Sequence, residues 1–258
     1  MKYAIHNRKG QKIVTVIENE KGSRLAIVMH GLGGHKDQPE IRTFAEAYLD
    51  EGFTVVTFDT THSYGESDGK YEDATTTNYY TDLEDVIDWA KKQEWFDKKS
   101  KRFFLTGCNL GGICILLYQE NHPEDVEAIA PISTVISGKL SRESPAASQW
   151  REWKKKGYNE YTSTSGKIKR IKWSHYEDRM KYDALKKVDK IKIPVLMIVG
   201  EKDENTPVEH QKILFDALNT NKELHIIKDG PHTFVDKNHL MEIKGIFEKW
   251  IKRVTKDE

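Results

Sequence analysis

Gly107-Cys108-Asn109-Leu110-Gly111 is the stretch whose spacing could hold a reacting side chain. A short β-type run, Phe103 to Thr106, leads into this Gly-rich turn, and the apolar, helix-forming run Ile113 to Tyr118 follows. A strand-turn-helix with glycines two positions before and after the apex has the spacing of a nucleophile elbow, where the apex side chain is pushed out of the sheet on a strained turn. A side chain at either glycine would collide with neighbouring backbone. Asn109 holds the apex, and asparagine is among the few residues besides glycine that tolerate left-handed backbone angles. Its carboxamide is a poor nucleophile, with no proton that an imidazole could usefully remove. Moving Cys108 to the apex would put Thr106 and Leu110 where the glycines belong, so sterics favour Asn109.

Three further stretches carry groups that could work with this apex. His30-Gly31-Leu32-Gly33-Gly34-His35 ends the apolar run Leu25 to Met29, and alone it reads as a Gly-rich strand-to-helix turn. Glu201, Asp203 and Glu204 follow the buried-strand sequence Ile193 to Gly200, and a loop carboxylate ordinarily reads as solvated surface. His232 lies in the turn Asp229-Gly230-Pro231-His232 after Leu224 to Ile227. His225 falls in strand-like sequence and His239 in a helix, where packing or surface roles are expected.

The elements that must position these groups alternate. Tyr3 to His6 and Lys12 to Glu18 predict an antiparallel hairpin at one edge. Buried strands follow at Leu25 to Met29, Phe53 to Asp59, the elbow strand and Glu127 to Ile132, with helices expected over Pro39 to Asp50 and Thr77 to Lys92. Alternation of this kind argues for a right-handed, mostly parallel α/β sheet. It stops from about Ser137 to Tyr176, where aliphatic residues are few, aromatics are dense, and basic residues outnumber acidic ones by about three to one. It resumes at Ile193, with a helix from Val208, a strand from Leu224 and an amphipathic helix over about Asn238 to Val254.

Together these motifs resemble the α/β-hydrolase superfamily, in which a serine usually occupies the apex. The resemblance implies an α/β-hydrolase fold: a mostly parallel twisted sheet flanked by helices, with a cap insertion. It divides the chain into a first core segment (1–136), a cap or lid (137–176) and a second core segment (177–258). It also implies an ester hydrolase with Asp203 as triad acid and His232 as general base, and with the backbone N–H groups of Leu32 and Leu110 as the oxyanion hole. The chain order Asn109, Asp203, His232 is that of the superfamily. Gly65-Glu66-Ser67-Asp68-Gly69 is similar to a loop of the cinnamoyl and feruloyl esterase branch, although Thr60-Thr61-His62-Ser63-Tyr64 departs from that branch just upstream. In such a cap, Trp150, Trp153 and Trp173 are candidates for lining a substrate pocket, and the Lys/Arg excess would favour ligands bearing a carboxylate or phenolate.

Composition narrows the partners. Lys+Arg and Asp+Glu are equal at 41 each, so net charge suggests neither nucleic acid nor an anionic membrane. No apolar run approaches the roughly 20 residues of a membrane span, and Met1 to His6 lacks the apolar core of a signal peptide, so a cytoplasmic location is expected. Two cysteines, Cys108 and Cys114, make no disulfide framework. Neither metal-ligand spacing nor a phosphate loop is present, so no metal or cofactor is expected, and the partner is a small-molecule ester or other ligand. A homo-oligomer is compatible with the sequence.

Four readings of the apex stay open. Asn109 replaces a serine in an otherwise complete esterase, or the chain is a non-catalytic binder on the same fold. Alternatively Asn109 deamidates to an aspartate nucleophile, or Cys108 serves after a rearranged turn.

Overall fold

The computed structural model describes residues 1–96, 102–144, 150–162 and 168–256. Among these the strands are β1 (Lys2–His6), β2 (Lys12–Glu18), β3 (Leu25–Met29), β4 (Thr54–Asp59), β5 (Phe103–Cys108), β6 (Val126–Ile132), β7 (Tyr158–Thr162), β8 (Ile168–Lys172), β9 (Val195–Gly200) and β10 (Lys222–Ile227). The helices are α1 (Pro39–Asp50), α2 (Thr76–Ala90), α3 (Leu110–Asn121), α4 (Gly138–Glu143), α5 (Trp150–Lys156), α6 (Trp173–Arg179), α7 (Val208–Ala217) and α8 (Lys237–Val254).

Eight strands form one sheet in the order β1-β2-β4-β3-β5-β6-β9-β10. The β1–β2 and β2–β4 pairs are antiparallel, and every pair from β4 to β10 is parallel. All five residues of β3 and all six of β4 are buried, as expected of strands covered on both faces. One face packs against α1 and α8, where Phe44 stacks on Phe247 at 5.1 Å and Trp250 meets Phe104 edge-on at 6.1 Å. The other face carries Leu83 and Val86 of α2, Ile113 of α3 and Leu214 of α7. Local chemistry fixes the helix starts. Pro39 sits in the first turn of α1, Thr75 caps α2 by accepting the N–H of Asn78, and Asp236 caps α8 by accepting those of Asn238 and His239.

Between β6 and β9 the chain leaves the sheet through α4, α5, the antiparallel pair β7–β8 and α6. Residues 145–149 and 163–167 of the expected cap lie outside the described residues. The β7–β8 pair is a feature that aromatic density concealed: of its ten positions only Ile171 is fully buried, so it has no apolar stripe. Specific polar contacts tie this excursion to the body. The N–H and Oγ1 of Thr77 donate to Asp178 at 2.8 and 2.6 Å, and Lys169 Nζ donates to the carbonyl of Gly33 at 3.0 Å. No helix among the described residues is long and apolar enough to cross a membrane.

Candidate active site

Asn109 stands at the join of β5 and α3 with φ 50° and ψ −112°, a strained conformation held from several sides. Its N–H donates to Ile132 O at 3.0 Å, and its carbonyl accepts from the N–H groups of Gly112 (3.2 Å) and Val135 (3.0 Å). The flanking glycines are sterically required: a Cβ on Gly107 would lie 2.4 Å from Gly111 O, and one on Gly111 2.6 Å from His30 O. The carboxamide thereby stands out at the C-terminal ends of the parallel strands, where α/β sheets place their ligands.

Its two polar atoms are both engaged. Nδ2 lies 3.0 Å from His232 Nε2, and Oδ1 lies 3.4 Å from the N–H of Leu32. An amide nitrogen can only donate, so His232 Nε2 accepts and the ring proton sits on Nδ1. That nitrogen faces Asp203, 2.9 Å from Oδ1 and 2.8 Å from Oδ2. The carboxylate also accepts the N–H groups of Asn205 and Thr206 at 2.9 and 2.8 Å, with Thr206 Oγ1 2.7 Å away. Burial would raise the Asp203 carboxyl, but the hydrogen bonds and charge of His232 and the donors of Thr206 outweigh it and hold the group below its ordinary value.

The neighbouring carboxylates serve elsewhere: Glu201 accepts the N–H of Asp229 at 2.8 Å, and Glu204 is exposed. His225 pairs with Glu223, and His239 meets Phe234 edge-on. Leu110 opens α3, where backbone N–H groups have no intrahelical acceptor. The loop bearing Leu32 is held by His30, which is fully buried and pushed toward the neutral form by desolvation. His30 Nε2 accepts the N–H of Thr60 at 3.1 Å, and Nδ1 donates to Gly31 O at 2.8 Å.

Two groups that sequence reading passed over support the site. Asp59, at the end of β4, is fully buried and accepts the N–H of Lys36 at 2.7 Å and that of Glu66 at 2.9 Å. Lys36 Nζ stands 3.3 Å from the same carboxylate. The Gly65 to Gly69 loop is thus a structural clamp: Asp59 joins it to the Leu32 loop, and Ser67 Oγ donates to Asp59 O at 2.6 Å. The β-strand pattern ending in an Asp was the signal that could have found it. Glu40, in the first turn of α1, lines a cavity of about 80 Å³ beside Asn109, His232, Leu32, Cys108 and Phe234. Burial pushes its carboxyl up to about 7, partly offset by its own N–H and by His232.

Trp150, Trp153 and Trp173 do not line that cavity. Trp153 meets Trp173 edge-on at 5.7 Å, and Tyr176 stacks on Trp173 at 4.2 Å and on Trp150 at 6.5 Å. Cys108 and Cys114 are free thiols, both pushed up by burial. Among the described residues no cluster of three or more His, Cys, Asp or Glu is arranged to hold a metal ion.

Comparison with known proteins adds a family pattern. The pattern of the prolyl oligopeptidase family matches residues 39–258. An uncharacterized 31.7 kDa protein of the traX-finO intergenic region of Escherichia coli is 25% identical over 262 residues, covering 89% of this chain and 90% of that one. A thermostable monoacylglycerol lipase of Bacillus sp. (strain H-257) is 25% identical over 228 residues, 83% and 84% of the two chains. The structure of Est1E from Butyrivibrio proteoclasticus with ferulic acid bound superposes with a TM-score of 0.82 at 21% identity, covering 98% of this chain and 99% of that one, which shows the α/β-hydrolase fold.

Proposed function

This chain belongs to the prolyl oligopeptidase family, and from that premise we propose that its site is built for acyl transfer from a carboxylic ester to water, with Asn109 standing where the nucleophile belongs. In such a site a hydroxyl at the apex attacks the carbonyl, its proton passes to His232 Nε2, and Asp203 stabilises the resulting imidazolium. The N–H groups of Leu32 and Leu110 receive the oxyanion, and His232 returns the proton to the departing alkoxide. Water then repeats the sequence on the acyl enzyme. The carboxamide of Asn109 can do none of the first step. By serine-hydrolase precedent that loss costs about a millionfold in turnover, or about 8 kcal/mol of barrier.

The observation that carries this reading is the single amide spanning His232 Nε2 and the N–H of Leu32. It occupies both the base and an oxyanion donor, leaving the surrounding machinery intact and idle. Residues 137–176 act as the cap over this site. The same observation favours a second reading, a non-catalytic binder, because a site whose polar groups are satisfied internally is stable without a substrate. The monoacylglycerol lipase among the relatives supports an ester-type ligand in either case. Asn109→Ser decides between them: hydrolysis of 4-nitrophenyl acetate far above the parent supports the esterase, and a variant that stays at background removes it.

A further inference from the structure

The β7–β8 pair sends two side chains back onto the body of the fold. Along β8, Ile168, Arg170 and Lys172 are exposed, Lys169 is half-buried and Ile171 is buried, so Lys169 and Ile171 share the inward face. Tyr161 of β7 stands opposite Lys169 in the antiparallel ladder, where paired side chains point to the same side. Both reach the same place. The Tyr161 hydroxyl is hydrogen-bonded to that of Tyr71, and Lys169 Nζ donates to the carbonyl of Gly33 at 3.0 Å.

Gly33 belongs to the turn that carries Leu32. The N–H of Gly34 closes this turn on Gly31 O at 3.0 Å, which leaves Leu32 and Gly33 at its centre, and Gly33 takes φ 67°, a conformation that favours glycine. On the inner side the N–H of Leu32 meets Asn109 Oδ1 at 3.4 Å, and that of Gly33 donates to the Tyr79 hydroxyl at 3.3 Å. Tyr71 and Lys169 hold the outer side. A Cβ on Gly33 would lie 2.8 Å from Tyr71 Cε2 and 3.4 Å from Lys169 Nζ, so both pack directly against this residue.

The ammonium is itself fixed in place. Nζ rests 4.3 Å from the ring centroid of Tyr64 and 5.8 Å from that of Tyr71, and the two rings stack at 4.6 Å. Its bond to Gly33 O is shorter than either inner contact, and a charged donor bonds a carbonyl more strongly than a neutral one. The inner contact to Asn109 is also the one that a ligand oxygen arriving at the Leu32 N–H would displace. At that moment the turn depends on its outer side.

We propose that Lys169 is the positioning residue of the Leu32 N–H, holding the turn from outside so that this amide keeps its direction when the Asn109 contact is exchanged for a substrate oxygen. That the incoming oxygen is an oxyanion rests on the proposed function; the hold on the turn does not.

The chain contains one Gly-Leu pair, Gly31-Leu32, so labelling glycine at its carbonyl carbon and leucine at its nitrogen gives a single correlated amide signal, that of Leu32. In the chain as it stands, Lys169→Met should shift this signal and speed its hydrogen exchange by about tenfold, and Lys169→Arg should restore most of the protection. Lys172→Met is the control, because it removes an exposed ion pair with Asp73 from the same strand, and it should leave the signal where it was. In the Asn109→Ser background, Lys169→Met should lower kcat for 4-nitrophenyl acetate by about tenfold with KM within about twofold, a smaller loss than removal of an oxyanion donor itself. A Leu32 signal that stays put in Lys169→Met, or that Lys172→Met moves equally, overturns the proposal whatever the serine variant does. An active serine variant whose kcat is indifferent to Lys169 overturns it as well. An inert serine variant together with a displaced Leu32 signal removes the ester chemistry alone and leaves Lys169 as the residue that fixes this amide.

Discussion

Asn109 Nδ2 donates to His232 Nε2 across 3.0 Å, so a side chain that cannot act as a nucleophile dictates where the imidazole keeps its proton. With Nε2 accepting and Nδ1 facing Asp203, the ring is held in the Nδ1–H tautomer. Long-range proton–nitrogen correlation spectra at pH 8 should show that tautomer for His232. Asn109→Asp replaces the donating amide with a carboxylate that only accepts, and should place a proton on Nε2. A spectrum dominated by Nε2–H in the parent would contradict the geometry.

Restoring a hydroxyl at the apex should restore turnover. Asp203, His232 and the Leu32 N–H stand beside the apex, so under the proposed ester hydrolysis Asn109→Ser is expected to raise kcat/KM for 4-nitrophenyl acetate by about 10⁴-fold or more. Adding Asp203→Asn should take back about 10⁴ of the gain in kcat, because the ring then loses the partner that sets its tautomer. Steady-state kinetics of the two variants check both figures.

Cys108 is the other candidate for the missing nucleophile, and its setting argues against it. It is half-buried one residue before the apex, and burial together with the nearby Glu40 carboxyl pushes its thiol up, away from the reactive thiolate. Alkylation with iodoacetamide at pH 7.5 should run at least about tenfold more slowly than for a free thiol and leave any residual hydrolysis unchanged. Rapid labelling with loss of activity would restore Cys108 as the nucleophile.

The parts legible in the sequence were those fixed by local sterics or by a strong period. Gly107 and Gly111 defined the apex because only one register spares them a clash, and the wholly apolar run of β3 announced a strand covered on both faces. Asp203 could be chosen over Glu201 and Glu204 only from its place after β9, and the structure puts it alone among them against His232. What stayed hidden depended on residues distant in sequence. Asp59 shows locally only as the acid ending a buried strand, and its role in joining the Leu32 loop to the Gly65 loop stays hidden because its partners lie on both sides of it along the chain. Glu40 reads as an exposed first-turn acid, whereas the fold buries it in a cavity beside Leu32, Asn109 and His232. The paired β7 and β8 expose most positions, so hydrophobic periodicity could not reveal them.

The Asp59 clamp has its own test. Lys36 and Asp59 are 3% and 0% exposed, and removing one member of a buried pair strands the other charge. Lys36→Met should lower stability by about 3 kcal/mol in urea unfolding. Lys2→Met, which removes an exposed partner of Glu66, should leave it nearly unchanged. Equal effects of the two substitutions would show that the clamp does not hold the loops.

Glu40 makes stability depend on pH in the opposite direction to most carboxylates. The unfolded chain titrates it at its ordinary value of 4.5, whereas burial in the folded chain raises it to about 7. Below the unfolded value both states carry the proton and the group contributes nothing to the balance. Between the two values the unfolded state binds fewer protons, so stability falls as pH rises, and above about 7 the loss is complete and constant. The gap between 4.5 and about 7 corresponds to a loss of up to about 3 kcal/mol, at about 1.36 kcal/mol per pH unit. Glu40→Gln keeps the shape and cannot ionise, so the variant should gain stability relative to the parent between pH 4 and pH 8 by up to that amount. Urea unfolding of both proteins across this range measures the difference. A parent and variant whose curves run parallel would mean that the carboxyl ionises normally and that the cavity beside His232 is wet.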